Sequence, residues 1–381
     1  MLLIDPHVHL RDWEQSHKET LIHAFQVAWR CGISALFEMP NTAPALTTRE
    51  MAERRIADAD RAAELVTAAA QTDNTDAADS AISANAATSR AAPFHGLYLG
   101  LTADPDQVRH VVSAQGSLFP RVVGFKLYAG HSTGRMGVVT TAEQLSVWRT
   151  LSDANYRGVV AVHAEREDLV YPERFSRAAP PTHSEARPPL AEVTSVQTQI
   201  AFAEATGFRG TLHIVHVTCP ETLELIAGER SSLPFTLTAA VTPHHIWLDT
   251  SHARDVGFLV NPPLRDPERR AALAQRLYSD ESVPTWIESD HAPHTWEEKG
   301  AGAFGLPGLL AMRQLADEVH LQLPPARAQA LTGEAVLEAF GIEPSLIPAN
   351  PHAEHPLSAP EITELAAEYP WDPYNLFDRL S

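Results

Sequence analysis

Short runs of β-branched and apolar residues alternate along this chain with longer stretches of helical periodicity, and that alternation most narrows what it can fold into. The strand-like runs lie at residues 2–10, 33–39, 95–102, 122–128, 159–164, 211–218, 235–242 and 283–290. Helical patterns fall between and after them, at 19–31, 48–70, 104–114, 141–155, 190–207, 220–229, 266–279, 309–321 and 327–340. Eight strands, each followed by a helix, predict an α/β fold of the (β/α)8 TIM-barrel class, which 381 residues can fill as one domain. The competing architecture is a doubly wound open sheet, but no GxGxxG or P-loop follows any of the runs.

With 44% apolar and 20% charged residues the composition is that of an ordinary globular protein. Acidic residues number 48 against 29 basic, a net charge of −19, which argues against nucleic acid or an anionic membrane as partner. No apolar run reaches the roughly 18 residues of a membrane span. Met1 leads into Leu2-Leu3-Ile4-Asp5 without the residue order of a signal peptide, so a cytoplasmic location is expected. Cys31 and Cys219 offer neither a disulfide framework nor a CxxC pair. The barrel is expected over residues 1–340, and the Pro-rich tail 341–381 is expected to pack over its surface. The Ala-rich stretch 57–93 reads as a surface helix followed by a polar loop.

Barrel enzymes carry their chemistry at the C-terminal ends of the strands, and the unusual residues collect there. The first run contains His7-Val-His9; residues two apart in a strand share a face, so both imidazoles point together, as metal ligands or as a hydrogen-bonded pair. The fifth run carries His163 next to its end, and the eighth ends at Asp290. The sixth holds His213 and His216, which strict alternation puts on opposite faces; His216, nearer the strand end, is the better ligand candidate and His213 the structural one. His7, His9, His163, His216 and Asp290 form a donor set suited to Zn²⁺ or a similar divalent ion. Lys126 interrupts an apolar run in a chain with 26 Arg and only three Lys. A snorkelling side chain could as well be Arg. A primary amine, once neutral, adds CO₂ to form a carbamate able to bridge two cations, which a permanently protonated guanidinium cannot do.

These residues sit within an ordered series of motifs that resembles the dihydroorotases of the amidohydrolase superfamily, cyclic amidase group. The series runs His7-Val-His9-Leu-Arg11-Asp12, Glu38-Met-Pro-Asn41-Thr42, Gly124-Phe-Lys126-Leu-Tyr128, Val162-His163-Ala-Glu165 and His213-Ile-Val-His216-Val-Thr218. It continues through Thr242-Pro-His244-His245, Asn261-Pro-Pro-Leu-Arg265, Ser289-Asp290-His291-Ala-Pro-His294-Thr295, Glu297-Glu298-Lys299 and Gly305-Leu-Pro-Gly308. The resemblance implies a TIM barrel with two divalent metal ions, usually zinc. His7, His9 and Asp290 would hold one ion and His163 and His216 the other, with carbamylated Lys126 between them. It implies Arg11, Asn41 and His294 as contacts to the substrate carboxylate and ring, with Asn261 as a further contact. Asp290 would be the general base and acid in the interconversion of dihydroorotate and N-carbamoyl-L-aspartate, a step of pyrimidine synthesis. His131, His244, His245 and His291 are expected to be structural, and Glu297 and Lys299 to lie behind the site or in a loop clamp. The rival readings are a hydantoinase, dihydropyrimidinase or allantoinase, and a non-catalytic partner of aspartate transcarbamoylase. The expected partner is a small-molecule substrate, and the resemblance allows a homodimer or an association with aspartate transcarbamoylase. Many relatives carry a flanking β-sandwich built from both termini; with the first strand starting at Met1, that subdomain is expected to be absent or reduced.

Overall fold

The structure is a computed structural model describing residues 1–73, 91–131, 136–279 and 283–374. Eight strands form one parallel sheet in sequence order: β1 (Ile4–Val8), β2 (Ala35–Glu38), β3 (Phe94–Gly100), β4 (Val122–Tyr128), β5 (Val159–His163), β6 (Thr211–Ile214), β7 (Thr236–Val241) and β8 (Trp286–Ile287). The sheet closes where Val8 bridges His291 and the His9 amide donates to the His291 carbonyl at 2.7 Å. This is the expected barrel, and no second sheet occurs among the described residues. No described helix is long and apolar enough to cross a membrane.

Parallel strands covered on both sides need apolar residues at every position, and they divide here into two layers. Leu36, Leu97, Leu99, Phe125, Leu127, Val160, Val162, Leu212 and Ile214 pack outward under the helices. The alternate residues Ala35, Phe37, Tyr98, Val159, Ala161 and Trp286 fill the barrel interior. Helix Ala335–Phe340 plugs the end of the barrel where the strands begin, the Phe340 ring lying 5.1 Å from Phe37, 6.1 Å from Tyr98 and 6.0 Å from Trp286. Chemistry is thereby left to the opposite end.

Helix starts follow the local sequence. Thr20 caps helix Leu21–Arg30 by accepting from the His23 amide, and Thr140 with Glu143 forms a reciprocal capping box on helix Thr141–Asp153. Of the stretch 57–93, the helical part lies in helix Arg49–Asp73, and residues 74–90 lie outside the described residues. The described part of the tail runs along the barrel. Asn350 donates to the Trp29 and Ile33 carbonyls at 3.0 and 3.2 Å, Arg313 holds the carbonyls of Cys31, His352 and His355, and helix Ala359–Ala366 follows.

Candidate metal centre

One pocket at the C-terminal mouth of the barrel is lined by His7, His9, Arg11, Asn41, Lys126, Tyr128, His163, His216, Asn261, Asp290, Phe304 and Gly305. Strand parity explains some of these placements. Phe125 and Leu127 face outward, so Lys126 and Tyr128 face in; Val159 and Ala161 face in, and His163 follows them. The other placements need irregular backbone. Ile4 faces inward, so unbroken alternation would turn His7 out; a register shift between Asp5 and Val8 returns His7 and His9 to the interior.

β6 ends at Ile214, short of the expected residue 218, and His216 adopts φ +38°. That backbone re-aims its ring, so both His213 and His216 point into the barrel, contrary to the opposite-face expectation. His213 lies deeper, against Thr238 at 3.0 Å and Glu288 at 3.4 Å, while His216 reaches the pocket. Non-glycine residues at positive φ are strained and cluster at functional sites. Among the described residues they are Arg11, Asp12, Trp13, Asn155, His216 and Asp290, and three of the six line this pocket.

The imidazoles run in series, His9–His7–His216–His163, with ring centroids 5.4, 5.3 and 4.9 Å apart. Outer partners fix the tautomer that leaves a lone pair inward. Nδ1 of His7 donates to Glu288 at 3.1 Å and Nδ1 of His9 to Asn41 Oδ1 at 2.5 Å. The Nε2 atoms of both rings then face one oxygen of Asp290, at 3.3 and 3.0 Å. Ligand atoms of His7, His9 and Asp290 all lie within 4.8 Å of one another, close enough for one ion. His163 donates from Nε2 to Glu165 at 3.0 Å, leaving Nδ1 facing His216 Nε2 at 3.1 Å.

Lys126 is 1% exposed, and among the described residues its Nζ has no hydrogen-bond partner. Burial lowers its pKa from the ordinary lysine range to about 8, which makes the neutral amine far more accessible than on an exposed lysine. A buried amine without a partner is costly. With His7, His9, His163, His216 and Asp290 lining the same pocket, the residues present fit the binding of divalent metal.

Arg11 forms the other wall. It is 2% exposed, donates from Nε to the Pro293 carbonyl at 3.2 Å and contacts His294 Nε2 at 3.1 Å. Among the described residues no carboxylate pairs with it within 4.0 Å: Asp12 lies 3.9 Å from Arg55 instead, and Glu19, Asp290 and Glu298 act on Arg11 from farther away. Its carbonyl is held at 3.1 Å by Arg55, itself clamped on Glu38. His294 touches Arg11 and does not line the pocket itself. Asn261 lines the pocket with its Oδ1 against His183 Nε2 at 2.8 Å.

Sequence comparison places this barrel among known proteins. No protein-family model matches the chain. A dihydroorotase from Halobacterium salinarum is 30% identical over 352 residues, covering 90% of this chain and 72% of that protein. The chain belongs to the dihydroorotase family. The dihydroorotase of Thermococcus kodakarensis is also 30% identical, over 346 residues and 90% of this chain. The chain spans about two thirds of the length of such relatives, 66% for Thermococcus and 65% for Pyrococcus furiosus. Among solved structures, L-hydantoinase (dihydropyrimidinase) from Arthrobacter aurescens matches with a TM-score of 0.71 at 21% identity, covering 90% of this chain and 71% of that one. Saccharomyces cerevisiae dihydroorotase in complex with 5-fluoroorotic acid matches with 0.66 at 17%, covering 91% and 85%. At those identities the structural likeness carries the barrel fold.

Within this member of the dihydroorotase family, several residues around the site were given no role from the sequence, although Tyr128, Glu165 and Gly305 lie in the motifs quoted above. Glu288 serves three groups at once, the His7 and His213 rings and the His216 amide at 2.7 Å. Its one clue is its position two residues before Asp290. Glu165 is held in turn by Arg187. Tyr128 and Phe304 line the pocket, and His183 stacks on Phe304 at 4.8 Å. Gly305, at φ +139°, lets the chain pass where a Cβ would stand 2.6 Å from the Ala292 carbonyl.

All three lysines gather at this end. Lys18 pairs with Glu298 at 2.9 Å, and buried Lys299 ties the Leu259 and Gly305 carbonyls at 2.8 and 3.0 Å. Glu297 is exposed, and the expected position behind the site falls to Glu298 instead. His245 and His291 make internal hydrogen bonds, His131 is exposed, and His244 is buried with neither ring nitrogen hydrogen-bonded among the described residues.

Proposed function

We propose that the chain is a dihydroorotase, a cyclic amidohydrolase that interconverts dihydroorotate and N-carbamoyl-L-aspartate. The observation that carries this reading is the Arg11 guanidinium: buried, at the pocket wall, and without a carboxylate within 4.0 Å among the described residues. A cation so placed favours a ligand that brings its own carboxylate, which dihydroorotate has and a hydantoin or dihydropyrimidine lacks.

His7, His9 and Asp290 would hold one divalent ion and His163 and His216 a second, zinc by the chemistry of these donors, with carbamylated Lys126 between them. Bound there, such a pair supplies an activated water and a polarised amide carbonyl. In hydrolysis the water adds to the ring carbonyl carbon and the ring C–N bond breaks. The Asp290 carboxylate accepts a proton from the water and returns it to the departing nitrogen; ring closure runs the same transfers backwards. Glu288, Glu165 and Asn41 keep the imidazole lone pairs turned inward. Arg11 takes the exocyclic carboxylate, with His294 steadying the guanidinium and Asn41 and Asn261 lining the ring's approach.

Replacing Arg11 by Met tests the substrate assignment. The variant should lose about 10²-fold or more in kcat/KM for dihydroorotate, the scale of a buried charge left without its partner, while hydrolysing a hydantoin as the parent protein does. Equal losses on both substrates would refute the assignment. The ligand set makes a separate demand: elemental analysis of fully loaded protein should approach about two divalent ions per chain, and chelation should abolish turnover. Full activity at a saturated content near one ion would refute the two-ion centre.

A further inference from the structure

The C-terminal tail has no part in the chemistry above, yet its described residues reach helix Trp296–Ala301, which follows the pocket residues Asp290 and Ala292 in sequence. At helix Ala359–Ala366 and just after it, the tail is anchored to helix Leu21–Arg30, with Arg30 pairing Glu364 at 3.0 Å and Glu368 at 2.7 Å. Further on, the Trp371 ring stacks on Trp296, centroids 4.7 Å apart, at the start of helix Trp296–Ala301. Between these anchors the Tyr369 hydroxyl donates to Glu19 Oε1 at 2.8 Å.

Glu19 is buried, and its second oxygen lies 2.8 Å from His291 Nε2. His291 Nδ1 accepts from the Gly308 amide at 2.9 Å, so Nε2 carries the proton and donates to Glu19. His291 immediately follows Asp290, and its carbonyl takes the His9 amide at 2.7 Å across the seam where β8 meets β1. One residue thus joins the backbones that carry His9 and Asp290. Asp290 itself sits at φ +48°, a conformation that persists only while surrounding contacts hold it.

We propose that Tyr369 is a positioning residue of the active site: through Glu19 and His291 its hydroxyl holds Asp290 in register with His9. This rests on the reading of the pocket as a cyclic-amidase centre. The tail is then part of the catalytic frame, although it lies outside the motifs that resemble the family.

Two full-length variants test it. Tyr369→Phe removes only the hydroxyl; kcat for whichever cyclic amide the parent protein turns over should fall about tenfold with KM unchanged, the scale seen when a partner behind a metal ligand is lost. Amide hydrogen exchange across residues 289–294, read without substrate, should quicken. Trp371→Leu removes packing from the same segment but leaves the hydroxyl; it should lower Tm while kcat and exchange at 289–294 stay at parent values. An unchanged kcat in Tyr369→Phe, or a lower one without faster exchange, overturns the proposal, as does a Trp371→Leu variant that reproduces both effects. If the protein turns over no cyclic amide, the functional reading fails, and the exchange measurement alone decides whether Tyr369 holds this segment.

Discussion

Lys126→Arg is expected to lose about 10³-fold or more in turnover while keeping its positive charge, a loss on the scale of a missing catalytic group. Nζ of Lys126 is buried on the inner face of β4 without a hydrogen-bond partner among the described residues, in the pocket that His163 and His216 also line. Burial lowers its pKa to about 8, which makes the neutral amine accessible. That amine can form an N–C bond to CO₂ and release a proton to solvent, leaving two carboxylate-like oxygens. Arginine stays protonated and cannot follow. Lys126→Ala should be damaged to a similar extent, with short carboxylic acids restoring part of the activity by supplying the missing oxygens. Steady-state turnover with added acetate or propionate checks this. Normal turnover in Lys126→Arg would exclude the carbamate.

Asp290→Asn should lower kcat by about 10²- to 10⁴-fold, the usual contribution of a positioned general acid–base group. The amide keeps the shape of the carboxylate but cannot accept a proton and is a poorer ligand beside His7 and His9, whose Nε2 atoms lie 3.3 and 3.0 Å from its oxygen. Metal content measured alongside kcat separates the two losses. A variant that retains its full metal load and the parent kcat would remove Asp290 from the proton transfer.

Much of this arrangement was legible before any coordinates. Eight apolar runs separated by helical patterns specify a barrel because each run, buried on both sides, must pair with parallel neighbours. Phe125 and Leu127 pack outward, so the alternation of β4 was enough to turn Lys126 inward; the same holds for His163 on β5. The scarcity of lysine also marked the functional end, where Lys18, Lys126 and Lys299 all lie.

Alternation fails where the backbone departs from the strand. The register shift in β1 that brings His7 and His9 into the pocket, and the positive φ values at Arg11, His216 and Asp290, cannot be read from a two-residue period. Three of them are held by residues far away in sequence: Arg55 on the Arg11 carbonyl, Glu288 on the His216 amide, and His291 closing the barrel onto His9. The sequence by itself determined the barrel and the residues at its mouth, because periodicity and residue chemistry are local. Only the tertiary structure decided how those residues converge, and that the tail reaches Glu19, because strained backbone and buried carboxylates are stable only among partners that folding brings together.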